Sequence, residues 1–421
     1  MSRPPLSMVA RALTVVAVGV LTACGPAGDG GDDAQTPELP SAQDSAPAAL
    51  AELVAATADF RLLAEGEDDW QVWVCQVPAD TTAWPYAGLA LRLTLTADGV
   101  AAELEEHVRP YFEQLSAGAY EPRFTPGGEI RLGPSDGPEQ CSARALDSAD
   151  PAARGVIAVA DAEHQATSSG GFGSPGAGCP ALPCPAATTR RIVYVGASDF
   201  HPDWGEIAAV DLIEHELGHA LGWPHSADST GSTDSADDTI DDTIDDTIDD
   251  TGHVYASALD VMSNSAAPRD TDPARRHAPG TLAVNRIAAG WLPLADVSVV
   301  SGNGGVLRLE PSSSAEGMRA GVVGVDSDSL LTVEVLADQE ANDHLPASGV
   351  AVHLVSLDGP SCGRGESERC GPTERSQQPL VGGTPFTDLL QPGERWSGVG
   401  WQVEVLDQAG DTWVVEMRPT T

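Results

Sequence analysis

Apolar and polar positions alternate along the N-terminal half of the chain in a way that predicts strands interleaved with helices. Gln71–Val77 has the two-residue period of a half-buried strand, and Leu89–Leu95 is a second strand candidate. Apolar residues recur at helical spacing over Thr96–Leu115, which predicts an amphipathic helix. Three further apolar runs are predicted to be strands: Glu129–Leu132, Gly155–Ala160 and Arg191–Val195. A second helix is expected from about Trp204 to Leu221, so this half indicates an α/β sandwich.

The pattern changes from about Pro293 onward, where short alternating segments are separated by Gly, Pro and Ser. The predicted strands are Val306–Glu310, Leu331–Leu336, Gly349–Leu357, Trp401–Leu406 and Thr412–Met417. Short strands separated by such turn residues are typical of an all-β sandwich. We therefore predict two domains, an α/β domain over residues 67–292 and a smaller all-β sandwich over residues 293–421.

Three other segments have compositions that predict no regular structure. Residues 24–66 are rich in Gly, Ala, Asp and Pro and are expected to form a flexible tether. Residues 166–189 are rich in Gly, Pro and Cys and are expected to form a loop. Asp237–Thr251 repeats the residues DDTI, so residues 228–251 are predicted to be a disordered acidic insertion. Calcium binding is the alternative for this insertion, although it lacks the Gly and the spacing of an EF-hand loop.

The first 23 residues have the pattern of an export signal. Arg3 and Arg11 precede the apolar run Ala12–Leu21, which is too short to cross a bilayer as a helix. Leu21-Thr22-Ala23-Cys24 resembles a bacterial lipobox, in which the cysteine receives a lipid and becomes the new N-terminus. Residues 1–23 are therefore predicted to be a lipoprotein signal peptide, with Cys24 as the lipid attachment site. An ordinary secretory signal is the alternative, and both place the protein outside the cytoplasm.

The charge of the chain argues against one class of partner. Acidic residues number 63 against 22 basic ones, for a formal net charge of −41. A surface this acidic repels phosphates, so DNA and RNA are not expected partners. The hydrophobic fraction of 41% is enough for a packed core. Such a composition fits an extracytoplasmic protein, which we expect to be a monomer lipid-anchored to the bacterial cell membrane or outer membrane.

Six cysteines remain besides Cys24: Cys75, Cys141, Cys179, Cys184, Cys362 and Cys370. An even number in an oxidising compartment indicates disulfides, although sequence alone leaves their pairing open. Short spacing favours Cys179–Cys184 and Cys362–Cys370 as local pairs, which leaves Cys75–Cys141 by elimination. A cysteine-based zinc site is the alternative, but the sequence contains no CxxC pair.

The strongest chemical signal is the segment from His215 to His225. Residues four apart lie on one face of a helix, so His215 and His219 can bind the same ion. Gly222 can adopt a left-handed conformation and end the helix, after which the chain turns back and brings in His225. Three histidines leave the fourth position of a tetrahedral zinc open for water. Glu216 follows the first ligand and can reach that water.

This HExxHxxGxxH pattern resembles the signature of the metzincin metallopeptidases. Those enzymes place a methionine in a tight turn beneath the metal, and Leu259–Ser263 resembles that turn, with Met262 as its methionine. Shorter stretches are similar to gametolysin-like and immune inhibitor A-like members: Tyr111-Phe112, Leu115–Tyr120, Asn285-Arg286, Gly290–Leu292, Val333-Glu334 and Gly349–Val355. The resemblance covers about residues 70–417 and implies a metzincin-like catalytic domain, with a twisted mixed sheet and an active-site helix, ahead of the β sandwich. Histidine at position 225 favours the gametolysin-like members.

The resemblance implies a zinc-dependent endopeptidase that acts on extracellular proteins or peptides. It assigns one catalytic Zn²⁺ to the three histidines and the role of general base to Glu216. Two alternatives stay open: a catalytically inactive metzincin-fold surface binding or adhesion lipoprotein, and a calcium-dependent adhesion module built on the acidic repeat. Structural roles are expected for the other histidines: His107, His164, His201, His253, His277, His344 and His353.

Overall fold

The computed structural model describes the chain in several stretches, which together contain the predicted metal-binding segment. The described residues are 48, 50, 64–79, 85–86, 89–90, 92–162, 171–175, 190–197, 210–228, 257–272, 274–326, 329–356, 374–377 and 389–420. The signal peptide with Cys24, most of the predicted tether, and the acidic repeat lie outside them. Four of the predicted disulfide cysteines also lie outside them: Cys179, Cys184, Cys362 and Cys370.

A five-stranded sheet forms the centre of the N-terminal part. Its strands are β1 (Gly66–Gln76), β4 (Tyr120–Arg131), β5 (Gly155–Ala160), β6 (Gly171–Ser174) and β7 (Arg191–Val195), in the order β4-β1-β5-β7-β6. The first four strands in this order run parallel, whereas β6 is antiparallel to β7. A separate two-stranded ribbon pairs β2 (Pro85–Tyr86) with β3 (Leu89–Ala90), so the strand predicted at Leu89–Leu95 is shorter than expected.

Helices cover both faces of this sheet. Helix α1 spans Ala97–Leu115, and the Thr96 hydroxyl caps it by accepting a hydrogen bond from the Gly99 N–H at 3.1 Å. Helices α2 (Pro138–Ser148) and α3 (Val210–Ala220) follow. Apolar side chains of α1 and α3 pack on one face of the sheet, while those of α2 pack on the other. The sheet is therefore the middle of three layers.

The described cysteines form one disulfide, which links Cys75 on β1 to Cys141 on α2. This is the pairing that elimination predicts. Both residues are fully buried among apolar side chains of the α2 layer, including Ala145 and Ile192. The bond fixes α2 to the sheet on the face opposite α3.

The C-terminal part contains two facing sheets. A four-stranded antiparallel sheet has the order β10-β17-β16-β15, with strands β10 (Gly305–Leu309), β15 (Arg395–Gly398), β16 (Trp401–Ala409) and β17 (Thr412–Pro419). A six-stranded sheet has the order β8-β14-β13-β12-β11-β9, with strands β8 (Ser226–Asp228), β9 (Val297–Val299), β11 (Ala320–Gly324), β12 (Ser329–Leu336), β13 (Gly349–Ser356) and β14 (Glu374–Gln377). Their inner faces share one apolar core, in which Trp396, Trp401 and Trp413 are buried.

Two short helices lie between the two parts of the chain in sequence. Helix α4 spans Ala267–Thr271, and α5 spans Ala283–Ala289. Apolar residues of α5 pack on the outer face of the six-stranded sheet, against Val322 and Leu330. Glu334 on β12 reaches the start of α5, where its carboxylate accepts a hydrogen bond from the Ala283 N–H at 2.8 Å. Helix α5 is therefore attached to the six-stranded sheet by apolar packing and by the Glu334 carboxylate.

Four features of the fold differ from the sequence predictions. Residues 24–66 were predicted to be a flexible tether, but Leu50 and Ala64 are buried in apolar clusters and Gly66 is the first residue of β1. Residues 171–174, predicted as part of a loop, form strand β6, because glycines let this strand approach α3 closely. Strand β8 belongs to the six-stranded sheet although it precedes the predicted boundary at residue 293 by about 65 positions. Its last residue, Asp228, was assigned to the disordered insertion and is a strand residue instead.

No described helix has the length and apolar character that crossing a bilayer requires.

Candidate metal centre

Helix α3 carries the first two predicted ligands. Its buried side, with Val210, Ile213 and Leu217, packs into the core of the α1 layer. His215 and His219 lie one helical turn apart, and their ring centroids are 4.7 Å apart. The helix thus presents two imidazoles on one face, as the spacing predicts.

A tight turn after α3 positions the third ligand. Gly222 has φ +87°, a left-handed conformation that favours glycine, and its N–H donates to the His219 carbonyl at 2.9 Å. Trp223 is buried against Trp291, with ring centroids 5.3 Å apart, and this fixes the direction of the returning chain. The ring centroid of His225 comes within 4.4 Å of that of His219 and within 5.3 Å of that of His215.

The three imidazoles converge closely enough to share one ion. One ring nitrogen from each of His215, His219 and His225 lies within 4.8 Å of the other two. The Nε2 atoms of His219 and His225 are 2.9 Å apart. A tetrahedral zinc with ordinary Zn–N bonds would separate two such nitrogens by about 3.3 Å. The donor set and its spacing therefore fit a zinc ion with small adjustments of the rings.

Backbone carbonyls orient two of the rings. His215 Nδ1 donates to the Val261 carbonyl at 2.6 Å, and His219 Nδ1 donates to the Trp223 carbonyl at 2.8 Å. Each bond places the proton on Nδ1 and leaves the Nε2 lone pair for a metal, which is the usual arrangement around metal-binding histidines.

Burial keeps the ligand histidines neutral. It lowers the pKa of His215 to about 4 and that of His225 to about 3. The neighbouring His215 adds a smaller lowering of the His225 pKa. Burial also lowers the pKa of His219 well below its ordinary value. Neutral imidazole is the form that binds a metal, so these environments favour metal binding at neutral pH.

Met262, the predicted Met-turn residue, packs against helix α3 at Gly218. A Cβ built on Gly218 would stand 2.3 Å from the Met262 Sδ atom, so the thioether fills the space that this glycine leaves. The Met262 side chain is fully buried. Its turn is closed by two backbone bonds, from Ser263 N–H to the Asp260 carbonyl at 2.9 Å and from Asn264 N–H to the Ser257 carbonyl at 3.0 Å.

Glu216 adjoins the first ligand and points towards strand β6. Its carboxylate accepts a hydrogen bond from the backbone N–H of Gly173. The Oε2 atom is buried and has no hydrogen-bond partner among the described residues. Burial raises the pKa of Glu216 to about 8, with the Gly173 bond acting in the opposite direction. A divalent cation held by the nearby imidazoles would favour the ionised carboxylate.

Sequence reasoning missed the part that β6 has in this site. Gly171 and Gly173 lie against Glu216, and a Cβ at position 173 would stand 1.8 Å from the Glu216 backbone oxygen. Phe172, on the other face of the strand, stacks on Tyr194 at 5.4 Å between centroids. The available signal was a single large apolar residue, Phe172, between Gly171 and Gly173.

Other described histidines have structural contacts and do not join the three ligands. His277 Nδ1 lies 2.8 Å from a carboxylate oxygen of Glu214, the residue before His215 on α3. The His277 ring also stacks on the ring of Tyr111. His344 donates from Nε2 to the Ala258 carbonyl at 2.8 Å. His107 lies 3.5 Å from Glu103 on the same helix. His353 is buried in strand β13. The remaining three lie outside the described residues: His164, His201 and His253.

Comparison of the chain with protein-family models and with curated proteins finds no match.

Proposed function

We propose that the chain is a zinc-dependent endopeptidase of the metzincin type that hydrolyses peptide bonds of extracellular proteins. The observation that carries this proposal is the convergence of His215, His219 and His225 beside the buried carboxylate of Glu216. Met262 beneath Gly218 is a second, independent feature that agrees with the family resemblance.

Zinc is the metal that this donor set favours. Three neutral imidazoles suit zinc, whereas Ca²⁺ and Mg²⁺ prefer oxygen ligands. When bound by three histidines, zinc acts as a Lewis acid on water and on a substrate carbonyl. The chain contributes the ligand orientation, through the Val261 and Trp223 carbonyls.

Glu216 is the group that moves protons. Its unpartnered Oε2 is free to accept the proton of an attacking water, and the Gly173 N–H holds the carboxylate in place. The same carboxyl can then pass that proton to the leaving amine of the cleaved peptide bond. A carboxylate with this orientation and burial fits the role of general base and subsequent general acid.

The position of β6 favours a peptide as substrate. Among the described strands, β6 is an edge strand of its sheet. Its glycines Gly171 and Gly173 pack against Glu216 and His219 of α3. An extended peptide can pair with the edge strand of a sheet through main-chain hydrogen bonds. A substrate bound alongside β6 would have its backbone next to the three histidines and Glu216.

A casein cleavage assay on the purified chain tests the proposal. We expect activity that 1,10-phenanthroline removes and that added Zn²⁺ restores. Glu216→Gln should retain zinc but lose cleavage by at least about 100-fold, because a general base contributes that much to such reactions. Glu106→Gln, at an exposed position of α1, is the matched control. A zinc-loaded wild-type chain without activity on any protein substrate would favour the inactive binding-protein alternative.

We also propose that the protein is exported and anchored to a bacterial membrane by a lipid on Cys24. The support is the lipobox-like sequence Leu21–Cys24 after a short apolar run. Expression in a bacterium with isotope-labelled fatty acid tests this, with mass spectrometry of the N-terminal peptide. We expect the isotope label on Cys24 of the wild-type chain. In Cys24→Ser the label should be absent and the protein should leave the membrane fraction. An unmodified N-terminus after Ala23 would show ordinary secretion.

A further inference from the structure

The carboxylate of Asp260 accepts several buried hydrogen bonds, and the next residue, Val261, accepts one from His215. Asp260 is fully buried in the turn that contains Met262. Its Oδ2 accepts a hydrogen bond from the Ser226 hydroxyl at 2.6 Å, and its Oδ1 accepts one from the Thr281 hydroxyl at 3.0 Å. The side-chain amide of Asn285 lies 3.3 Å from Oδ2. One carboxylate thus connects three segments that are distant in sequence.

The Ser226 contact links Asp260 to the third ligand, because Ser226 follows His225 in the chain. Two hydrogen bonds hold Ser226 on the turn: its hydroxyl donates to Asp260, and its backbone N–H donates to the Met262 carbonyl at 3.0 Å. His225 follows a glycine turn and lies outside α3, so its position depends on such contacts rather than on helix geometry. The Ser226 hydroxyl bond is the side-chain part of that attachment.

The same turn also supports the first ligand. Val261 follows Asp260, and its carbonyl accepts the hydrogen bond from His215 Nδ1. Val261 is held by its own N–H, which donates to the Gly280 carbonyl at 2.9 Å, and by its neighbour Asp260, whose carboxylate accepts hydrogen bonds from Thr281 and Asn285. Asn285 additionally donates to the Thr281 hydroxyl at 2.8 Å, which closes the network on the α5 side. The turn at residues 260–262 therefore contacts both His215 and the residue that follows His225.

We propose that Asp260 is a positioning residue of the metal centre, which sets His225 through Ser226 and His215 through Val261. This inference rests on the proposed zinc function. Groups that orient ligands in this way typically change metal affinity by about 10- to 100-fold when they are removed. The hydroxyl of Ser226 can donate to Asp260 but would lose its acceptor in Asp260→Ala, as would Thr281 and Asn285.

The test is a zinc competition titration of the full-length chain against a chromophoric chelator. We expect Ser226→Ala to weaken zinc binding about 10-fold and Asp260→Ala by about 10- to 100-fold. The double variant should bind zinc about as weakly as Asp260→Ala alone, because both changes remove the same connection. Asp260→Asn, which keeps one oxygen acceptor, should recover part of the affinity. Ser142→Ala removes a buried serine hydroxyl on α2 and is the matched control with wild-type affinity.

Two further readouts separate positioning from general stability. The thermal midpoint of the metal-free chain reports stability, and the visible spectrum of the Co²⁺-substituted chain reports the ligand geometry. A positioning role predicts an altered Co²⁺ spectrum in Ser226→Ala with a metal-free midpoint near that of wild type. If Asp260→Ala does not fold, Ser226→Ala and Asp260→Asn decide the question.

Wild-type zinc affinity and an unchanged Co²⁺ spectrum in folded Ser226→Ala and Asp260→Asn would overturn this inference and leave the zinc site intact. Failure of the folded wild-type chain to bind zinc would overturn the proposed function itself. The two failures are therefore distinguishable in the same set of titrations.

Discussion

The Sδ atom of Met262 lies against Gly218, the residue directly before His219 on helix α3. A Cβ built on Gly218 would stand 2.3 Å from this sulfur and 2.9 Å from the Trp223 ring. Real side chains do not tolerate such approaches, so residue 218 must be glycine for the helix to rest on Met262 in this way. The contact explains why a glycine interrupts an otherwise helix-favouring segment.

Gly218→Ala should therefore displace α3 from the methionine turn. We expect zinc affinity to fall by about 10-fold or more, since the His215 bond to the Val261 carbonyl would lengthen, and stability to fall by about 1–3 kcal/mol through overpacking. Zinc competition titration and urea denaturation measure the two effects. Gly305→Ala on β10 is the control, because its Cβ meets only Val300 at 3.8 Å. Zinc binding at wild-type strength in Gly218→Ala would show that the contact is not required.

Gly173→Ala is expected to impair catalysis more than metal binding. The new Cβ would lie 1.8 Å from the Glu216 backbone oxygen, so β6 must move away and the Gly173 N–H must leave the Glu216 carboxylate. We expect kcat for casein or a peptide to fall at least about 10-fold, while the zinc content stays near one ion per chain. Steady-state kinetics with metal analysis of the same samples checks this, again with Gly305→Ala as control. Equal losses of zinc and activity would count against a separate role for β6.

Loss of the Cys75–Cys141 disulfide should reduce stability without changing the metal centre. The bond spans 66 positions, and the chain-entropy model assigns a loop of that length about 4 kcal/mol. We expect the double variant Cys75→Ala/Cys141→Ala to unfold at lower urea concentration and to bind zinc as wild type does, because α2 lies on the sheet face opposite α3. Urea denaturation and zinc titration test the two parts. A large loss of zinc affinity in the folded variant would contradict this separation.

Glu334 should make the metal-free chain less stable as the pH rises from mildly acidic to neutral. Burial raises the pKa of Glu334 to about 7 from an ordinary value near 4.5, although the Ala283 N–H, the Ser312 hydroxyl and the Arg286 charge oppose the shift. The protonated carboxyl of Glu334 therefore stabilises the folded chain relative to the ionised form. This stabilisation is complete below about pH 4.5 and is lost as the pH rises through about 7, a change in the unfolding free energy on the order of 3 kcal/mol.

Glu334→Gln removes this titration and keeps an acceptor for the Ala283 N–H. We expect its unfolding free energy, relative to that of wild type, to increase as the pH rises from 4.5 to 8 in urea denaturation. Glu106→Gln, on the exposed side of α1, should show no such trend. If wild type instead gains stability over the variant with rising pH, attraction to Arg286 outweighs the effect of burial.

Local patterns were sufficient to predict the elements on which the site is built. The apolar spacing predicted α1, and the predicted strands Gly155–Ala160 and Arg191–Val195 agree with β5 and β7. The ligand spacing predicted that His215, His219 and His225 converge, because helix geometry and the turn at Gly222 are both local properties. The elimination argument likewise gave the pairing of Cys75 with Cys141.

Features that depend on distant contacts were not predictable in this way. Strand β6 was assigned to a loop because glycine is rare in strands, and only the approach of α3 explains the glycines at 171 and 173. Strand β8 pairs with β14, nearly 150 residues further along the chain, and no periodicity reports such a partner. The bond between Ser226 and Asp260 likewise connects two segments whose proximity follows from the folded chain.

X-ray absorption at the zinc edge of the zinc-loaded, full-length chain tests the central claim most directly. Coordination by His215, His219 and His225 predicts three imidazole nitrogens and one oxygen at about 2.0 Å, with no sulfur neighbour, and the loss of one imidazole in His225→Ala. Zinc bound through cysteine sulfur, or an imidazole count that does not change in His225→Ala, would contradict the proposed metal centre.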